Sequence, residues 1–130
     1  MKNQTKKRNQ KQPTNQKGLD KNKYRNMLED AKKQFGIKDD IKLGFSSMKT
    51  EAASISLRTN VIRLNKNIIN DLSDEEVKYL IYHELTHYVT KSKYHNYKFY
   101  KILYSKIPED EAKKMDAKII SSILKLNKDS

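Results

Sequence analysis

Apolar residues recur at helical spacing through Tyr24, Met27, Leu28, Ala31 and Phe35, with a lysine-rich outer face. Asp20 stands where an N-cap belongs and Gly36 where a helix can end, so the pattern predicts a first helix between them. From residue 40 to 65 the period changes to two. Ile41, Leu43 and Phe45 alternate with Lys42 and Gly44, and Ile55 and Leu57 alternate with Ser54 and Ser56. After the turn-prone Arg58-Thr59-Asn60 comes Val61-Ile62-Arg63-Leu64-Asn65, rich in branched side chains. Three short strands are expected, the last two as a hairpin. Ser73 and Glu76 then form a capping box, with acids at Asp74, Glu75 and Glu76 where the helix dipole favours them. The helix they open buries Val77, Leu80, Ile81, Leu85 and Tyr88. A further helix runs from about Asn96 to Ser105, stopped near Pro108, and a last one from about Glu109 to Leu126. There is no internal repeat, and the order predicts an α+β fold.

Composition narrows the choices. At 130 residues the chain has room for one core, and Met1 to Leu19 is too polar to join it. The expectation is a disordered basic arm over 1–19 followed by a single domain over 20–130. No run approaches the length of about 18 apolar residues that a membrane-spanning helix needs. No apolar stretch follows the N-terminal lysines, as a secretory signal would require. A cytoplasmic protein without a membrane partner is expected. Cysteine is absent, so a metal site must be built from His, Asp and Glu. Residues 1–26 hold nine Lys/Arg and one acid (+8), whereas residues 27–130 hold nineteen and fifteen (+4). The charge thus lies mostly in the arm.

The segment His83-Glu84-Leu85-Thr86-His87 carries the candidate chemistry. Residues four apart share a helix face, so His83 and His87 can bind one metal ion, taken to be Zn²⁺, through their rings. Glu84 projects toward the same cleft and can take a proton from water, as in the HExxH arrangement of zinc peptidases. An amide at 84 could not act as the base, and a changed spacing would put the histidines on different faces. The plain alternative is a helix with two ordinary histidines and a surface glutamate. Catalytic zinc usually has three protein ligands and an open position. His95, eight residues past His87, is one candidate for the third. Glu109 or Glu111, 22 and 24 residues past His87, is the other.

The run Ile62-Arg63-Leu64-Asn65, then Asp74-Glu75-Glu76-Val77 through Tyr82 and HELTH, resembles the YgjP-like and SprT-like zinc metallopeptidases. So does His95 with Phe99, Tyr100, Leu103 and Pro108, and the resemblance spans about Val61 to Pro108. It implies a minimal zincin-like domain in which His83, His87 and His95 bind zinc and Glu84 is the base. It also implies that the strand before the active helix pairs with extended substrate, making residues 61–65 candidates for backbone contacts. The loop from His87 to His95 is longer than the commonest family spacing, and Thr50 to Leu57 lacks the tryptophan common in YgjP-like members. Of the tyrosines crowding the motif (Tyr82, Tyr88, Tyr94, Tyr97, Tyr100 and Tyr104), most are expected to be packing residues.

The function expected from all this is a zinc-dependent metalloendopeptidase acting on a protein or peptide. Because the resembled group includes DNA–protein crosslink proteases, the resemblance extends the substrates to DNA-associated proteins, with the +8 arm contacting DNA. The alternative is a nucleic-acid-binding or regulatory module whose zinc site is structural or latent. A peptidase specialised for one partner, with Glu111 as ligand, is a third reading.

Overall fold

The computed structural model describes residues 18–129. Apart from Gly18 and Leu19, the basic arm lies outside the described residues. Helix α1 spans Lys21–Phe35. The Asp20 side chain accepts a hydrogen bond from the Lys23 amide, and Gly36 ends the helix at φ 67°, a left-handed conformation that costs glycine little. Tyr24, Leu28 and Ala31 face inward, so the periodicity found the correct face.

Three strands follow: β1 Lys42–Ser46, β2 Ala53–Ser56 and β3 Val61–Asn65. Strands β2 and β3 form the expected hairpin, antiparallel with Ser56 opposite Val61. Its turn closes with Asn60 at φ 57° and an Asn60 amide to Ser56 carbonyl bond of 2.7 Å. Strand β1 runs parallel to β3, with Leu43 opposite Ile62, so the sheet order is β1-β3-β2. This order overturns one expectation. Residues 61–65 do not form a free edge for substrate, because both edges of β3 are already hydrogen-bonded. Among the described residues, the unpaired edge on the hairpin side belongs to β2.

Residues 47–52 must cross the end of β3 to carry the chain from β1 to β2, and Asn65 holds that crossing. Its side chain is 1% exposed. Its amide donates to the carbonyls of Met48 (2.9 Å) and Glu51 (2.8 Å), and its oxygen accepts from the amides of Met48 and Asn67. The buried polar group is therefore fully used.

A short 3₁₀ turn, Ile69–Asp71, leads to α2, Asp74–Thr90. The capping box is formed in both directions: Ser73 accepts from the Glu76 amide at 3.1 Å, and Glu76 accepts from the Ser73 amide at 2.8 Å. Helix α2 is the centre of the molecule, packed against α1, β2, α3 and α4. Val77, Ile81 and Leu85 are 0% exposed, and each such burial contributes about 1.5–3 kcal/mol. The N-cap Asn96 opens α3, Tyr97–Lys106, and α4 spans Glu109–Asp129. The Tyr79 hydroxyl donates to Asp116 at 2.7 Å and ties α4 to α2. Among the described residues no helix is long and apolar enough to cross a membrane.

Candidate metal centre

His83 and His87 lie one turn apart on α2, as their spacing requires. What brings His95 to them is the way the helix ends. Lys91 takes a left-handed conformation, φ 54°, and the amides of Lys91 and Ser92 return to the carbonyls of Tyr88 and His87. The chain is thereby turned back along the helix. A second fixed point follows at once, because Asn96 caps α3 through the Phe99 amide. Between these anchors His95 reaches Nε2–Nε2 distances of 3.1 Å to His83 and 3.0 Å to His87.

Nitrogens bound tetrahedrally to one zinc ion, each about 2.0–2.1 Å from it, would be separated by about 3.3 Å. The three histidines therefore fit a metal ion. Their donor atoms all lie within 4.8 Å of one another, and this is the metal-competent group found among the described residues. Glu109 and Glu111 are not in it. Both are exposed in the first turn of α4, and Glu109 pairs with Lys113 at 2.8 Å.

The Nδ1 of His87 lies 2.8 Å from the Ser92 carbonyl, which can only accept. That places a proton on Nδ1 and leaves Nε2 as a lone pair directed at the cluster. Phe99, 0% exposed, forms the floor. Its ring centroid lies 5.0, 4.6 and 4.8 Å from those of His83, His87 and His95. The family pattern in the sequence marked Phe99, but its contact with all three rings is visible only in the fold.

Glu84 is buried, and with the three histidines it lines a cleft of ≈ 220 Å³. Burial pushes its carboxyl up to about 8, and the carboxylate of Glu51 adds to the rise. Burial also lowers His83 to about 3, helped by the neighbouring His87 and His95. His87 is lowered as well, again mainly by burial. The opposite wall is Glu51 with Ala53, Ser54 and Ile55 of β2, then Leu57, while Lys93 stands on the histidine side. Sequence reading singled out neither Glu51 nor Lys93, since each reaches the cleft from a loop with no signature of its own.

The tyrosines also depart from expectation. Tyr82, Tyr88 and Tyr104 are packing residues as expected, but Tyr94 is 65% exposed and Tyr97 80%, and Tyr100 is exposed too. Among the described residues no tyrosine lines the cleft.

Residues 6–103 match the family model described as BlaR1 peptidase M56. Among curated proteins, the uncharacterized protein aq_aa15 of Aquifex aeolicus is 40% identical over 67 residues, 52% of this chain and 61% of that protein. The chain thus spans less than two thirds of that relative's length. The uncharacterized protein MJ0123 of Methanocaldococcus jannaschii is 33% identical over 88 residues, 68% of this chain and 80% of that protein. Two solved structures are similar at a TM-score of 0.70. The metallopeptidase zymogen of Pyrococcus abyssi abylysin is 28% identical, over 75% of this chain and 92% of its own. The metallopeptidase zymogen of Methanocaldococcus jannaschii jannalysin is 29% identical, over 77% and 96%. The family model and the two solved structures agree on a zincin-type metallopeptidase with an α+β fold, the coarser part of the resemblance read from the sequence.

Proposed function

The chain belongs to the BlaR1 peptidase M56 family, and on that premise we propose that it is a zinc-dependent metalloendopeptidase. Its ligands are His83, His87 and His95, and its general base is Glu84. The observation that carries this reading is the convergence of three imidazole Nε2 atoms beside a buried carboxyl in one cleft.

These three nitrogens would hold zinc, which when bound would supply Lewis acidity toward the scissile carbonyl and bring the pKa of water toward about 7. The residues of the chain divide the remaining work. His87 is held in the required tautomer by Ser92. Phe99 keeps water from beneath the rings, and Glu84 takes the proton of the attacking water and delivers it to the leaving amine. A carboxyl raised to about 8 would keep its proton at neutral pH. With a divalent cation held by the three histidines, Glu84 would instead favour the carboxylate, the form a base needs. The edge of β2 left unpaired among the described residues, along Ala53 to Ser56, is where an extended peptide would add as a strand.

Among the described residues the metal-competent group is three histidines without a carboxylate, and three ligands favour an open, catalytic site over a closed structural one. DNA-associated substrates rest only on the basic arm and the YgjP-like and SprT-like resemblance. The test is cleavage of denatured casein by zinc-reconstituted protein beside Glu84→Gln. Loss of cleavage with retained zinc supports the assignment. Equal cleavage by the variant removes Glu84 as the base.

A further inference from the structure

From Leu85 to Pro108 the chain holds five lysines and no acid, although the chain as a whole carries sixteen Asp and Glu. Four of the lysines, Lys91, Lys93, Lys98 and Lys101, are exposed on the loop after α2 and the start of α3. Tyr94, Tyr97 and Tyr100 are interleaved with them. Tyr97, Tyr100 and Lys101 follow at helical spacings of three and four, so they share one face of α3. Large rings left this exposed beside a reactive cleft are characteristic of contact surfaces rather than of solvent-facing helix. The face is continuous with the cleft: Lys93 lines it, and the Tyr100 ring lies 6.3 Å from that of His95. Charge is therefore distributed unequally around the cleft, with Glu51 beside β2 and Lys93 on the loop that leads into the lysine-bearing start of α3.

We propose that this lysine- and tyrosine-bearing face binds an acidic, extended segment of the protein substrate, on one side of the scissile bond. The inference rests on the peptidase reading above and names its substrate class. Lys93 meets the acidic residue nearest the cleft, and Lys98 and Lys101 meet those farther out. The tyrosines supply rigid contact area and hydroxyls for the peptide backbone. Each ammonium acts through exposed, salt-screened contacts, so the preference depends on several lysines together and weakens at high ionic strength. On the other wall Glu51 repels acids, which makes the preference one-sided.

The test uses the full chain reconstituted with zinc, with Glu84→Gln for binding and the unmodified protein for cleavage. Fluorescein-labelled peptides carry a run of Asp on one flank, on the other flank, or Asn in the same places. In anisotropy titrations at low salt, one Asp placement should bind about tenfold tighter than its Asn counterpart, and the advantage should shrink as salt rises. Lys93→Glu with Lys98→Glu should abolish that advantage. Lys125→Glu with Lys128→Glu on α4, the same charge change elsewhere, should leave it intact. Equal binding of Asp and Asn peptides, or equal loss with the Lys125→Glu and Lys128→Glu pair, overturns the inference. So does tighter binding of a single-stranded oligothymidylate that Tyr97→Ala and Lys98→Glu both weaken, which would assign the face to nucleic acid. Cleavage without charge preference leaves the peptidase standing and removes this face. Selective binding without cleavage of any peptide does the reverse.

Discussion

The imidazole of His87 donates from Nδ1 to the backbone carbonyl of Ser92 at 2.8 Å, leaving its Nε2 3.0 Å from that of His95. One hydrogen bond thus fixes the tautomer of a helix histidine from the loop that delivers the third ring. In long-range proton–nitrogen spectra of chelator-treated protein, His87 should be neutral with the proton on Nδ1. A proton on Nε2 would mean that the loop does not orient the ring.

Phe99 touches all three imidazoles from below and is 0% exposed. Phe99→Ala should cost about 3–5 kcal/mol in denaturant unfolding. Phe99→Leu keeps most of the volume but not the flat floor, and should cost less stability while still weakening zinc in a chelator competition. Unchanged zinc affinity in Phe99→Leu would reduce Phe99 to a core residue.

Asn65 joins the carbonyls of Met48 and Glu51 from a buried position. Asn65→Ala leaves both carbonyls without this donor and should destabilise the fold by about 2–4 kcal/mol. The crossing loop also carries Glu51 and leads into β2, so peptide KM should rise while zinc stoichiometry stays the same. A variant with normal KM would separate the loop from substrate binding.

The titrating groups of the site give the chelated protein a stability maximum. Folded His83 resists protonation down to about 3, whereas the unfolded histidine titrates near 6.5. The unfolded chain therefore binds the extra proton in that window, and stability falls as pH drops below about 6.5. His87 acts in the same direction. Folded Glu84 keeps its proton up to about 8 against 4.5 when unfolded, so its contribution is complete below 4.5 and is lost as pH rises toward 8. The two windows overlap, with the opposed slopes of His83 and Glu84 cancelling and His87 adding an upward slope. Stability of the chelated protein should therefore peak at roughly pH 6.5 and decline on both sides. Glu84→Gln should remove the alkaline decline. An unchanged decline in that variant would assign it to another group.

Much of this site was legible before the fold. HELTH places two donors and a carboxyl on one helix face by spacing alone, and the Ser73–Glu76 box fixes where that helix begins. The stripe of α1 and the β2–β3 hairpin follow from local periodicity and turn chemistry. Strand order does not, because a parallel β1–β3 pairing depends on a loop crossing held by Asn65, a long-range contact without a local signature. For that reason β3 read as a substrate edge when it is the inner strand. Position 95 was ambiguous for a related reason. Residues along a loop have no period, and only the left-handed Lys91 and the Asn96 cap decide where His95 points. Glu51 and Lys93 joined the site through tertiary placement alone.

The most direct measurement is zinc content of metal-depleted and reconstituted protein, for wild type, His95→Ala and Glu111→Ala. The three-histidine centre requires one zinc per chain in wild type and in Glu111→Ala, with zinc lost or bound far more weakly in His95→Ala. Wild-type protein that takes up no zinc, or zinc lost with Glu111 and kept without His95, would contradict it.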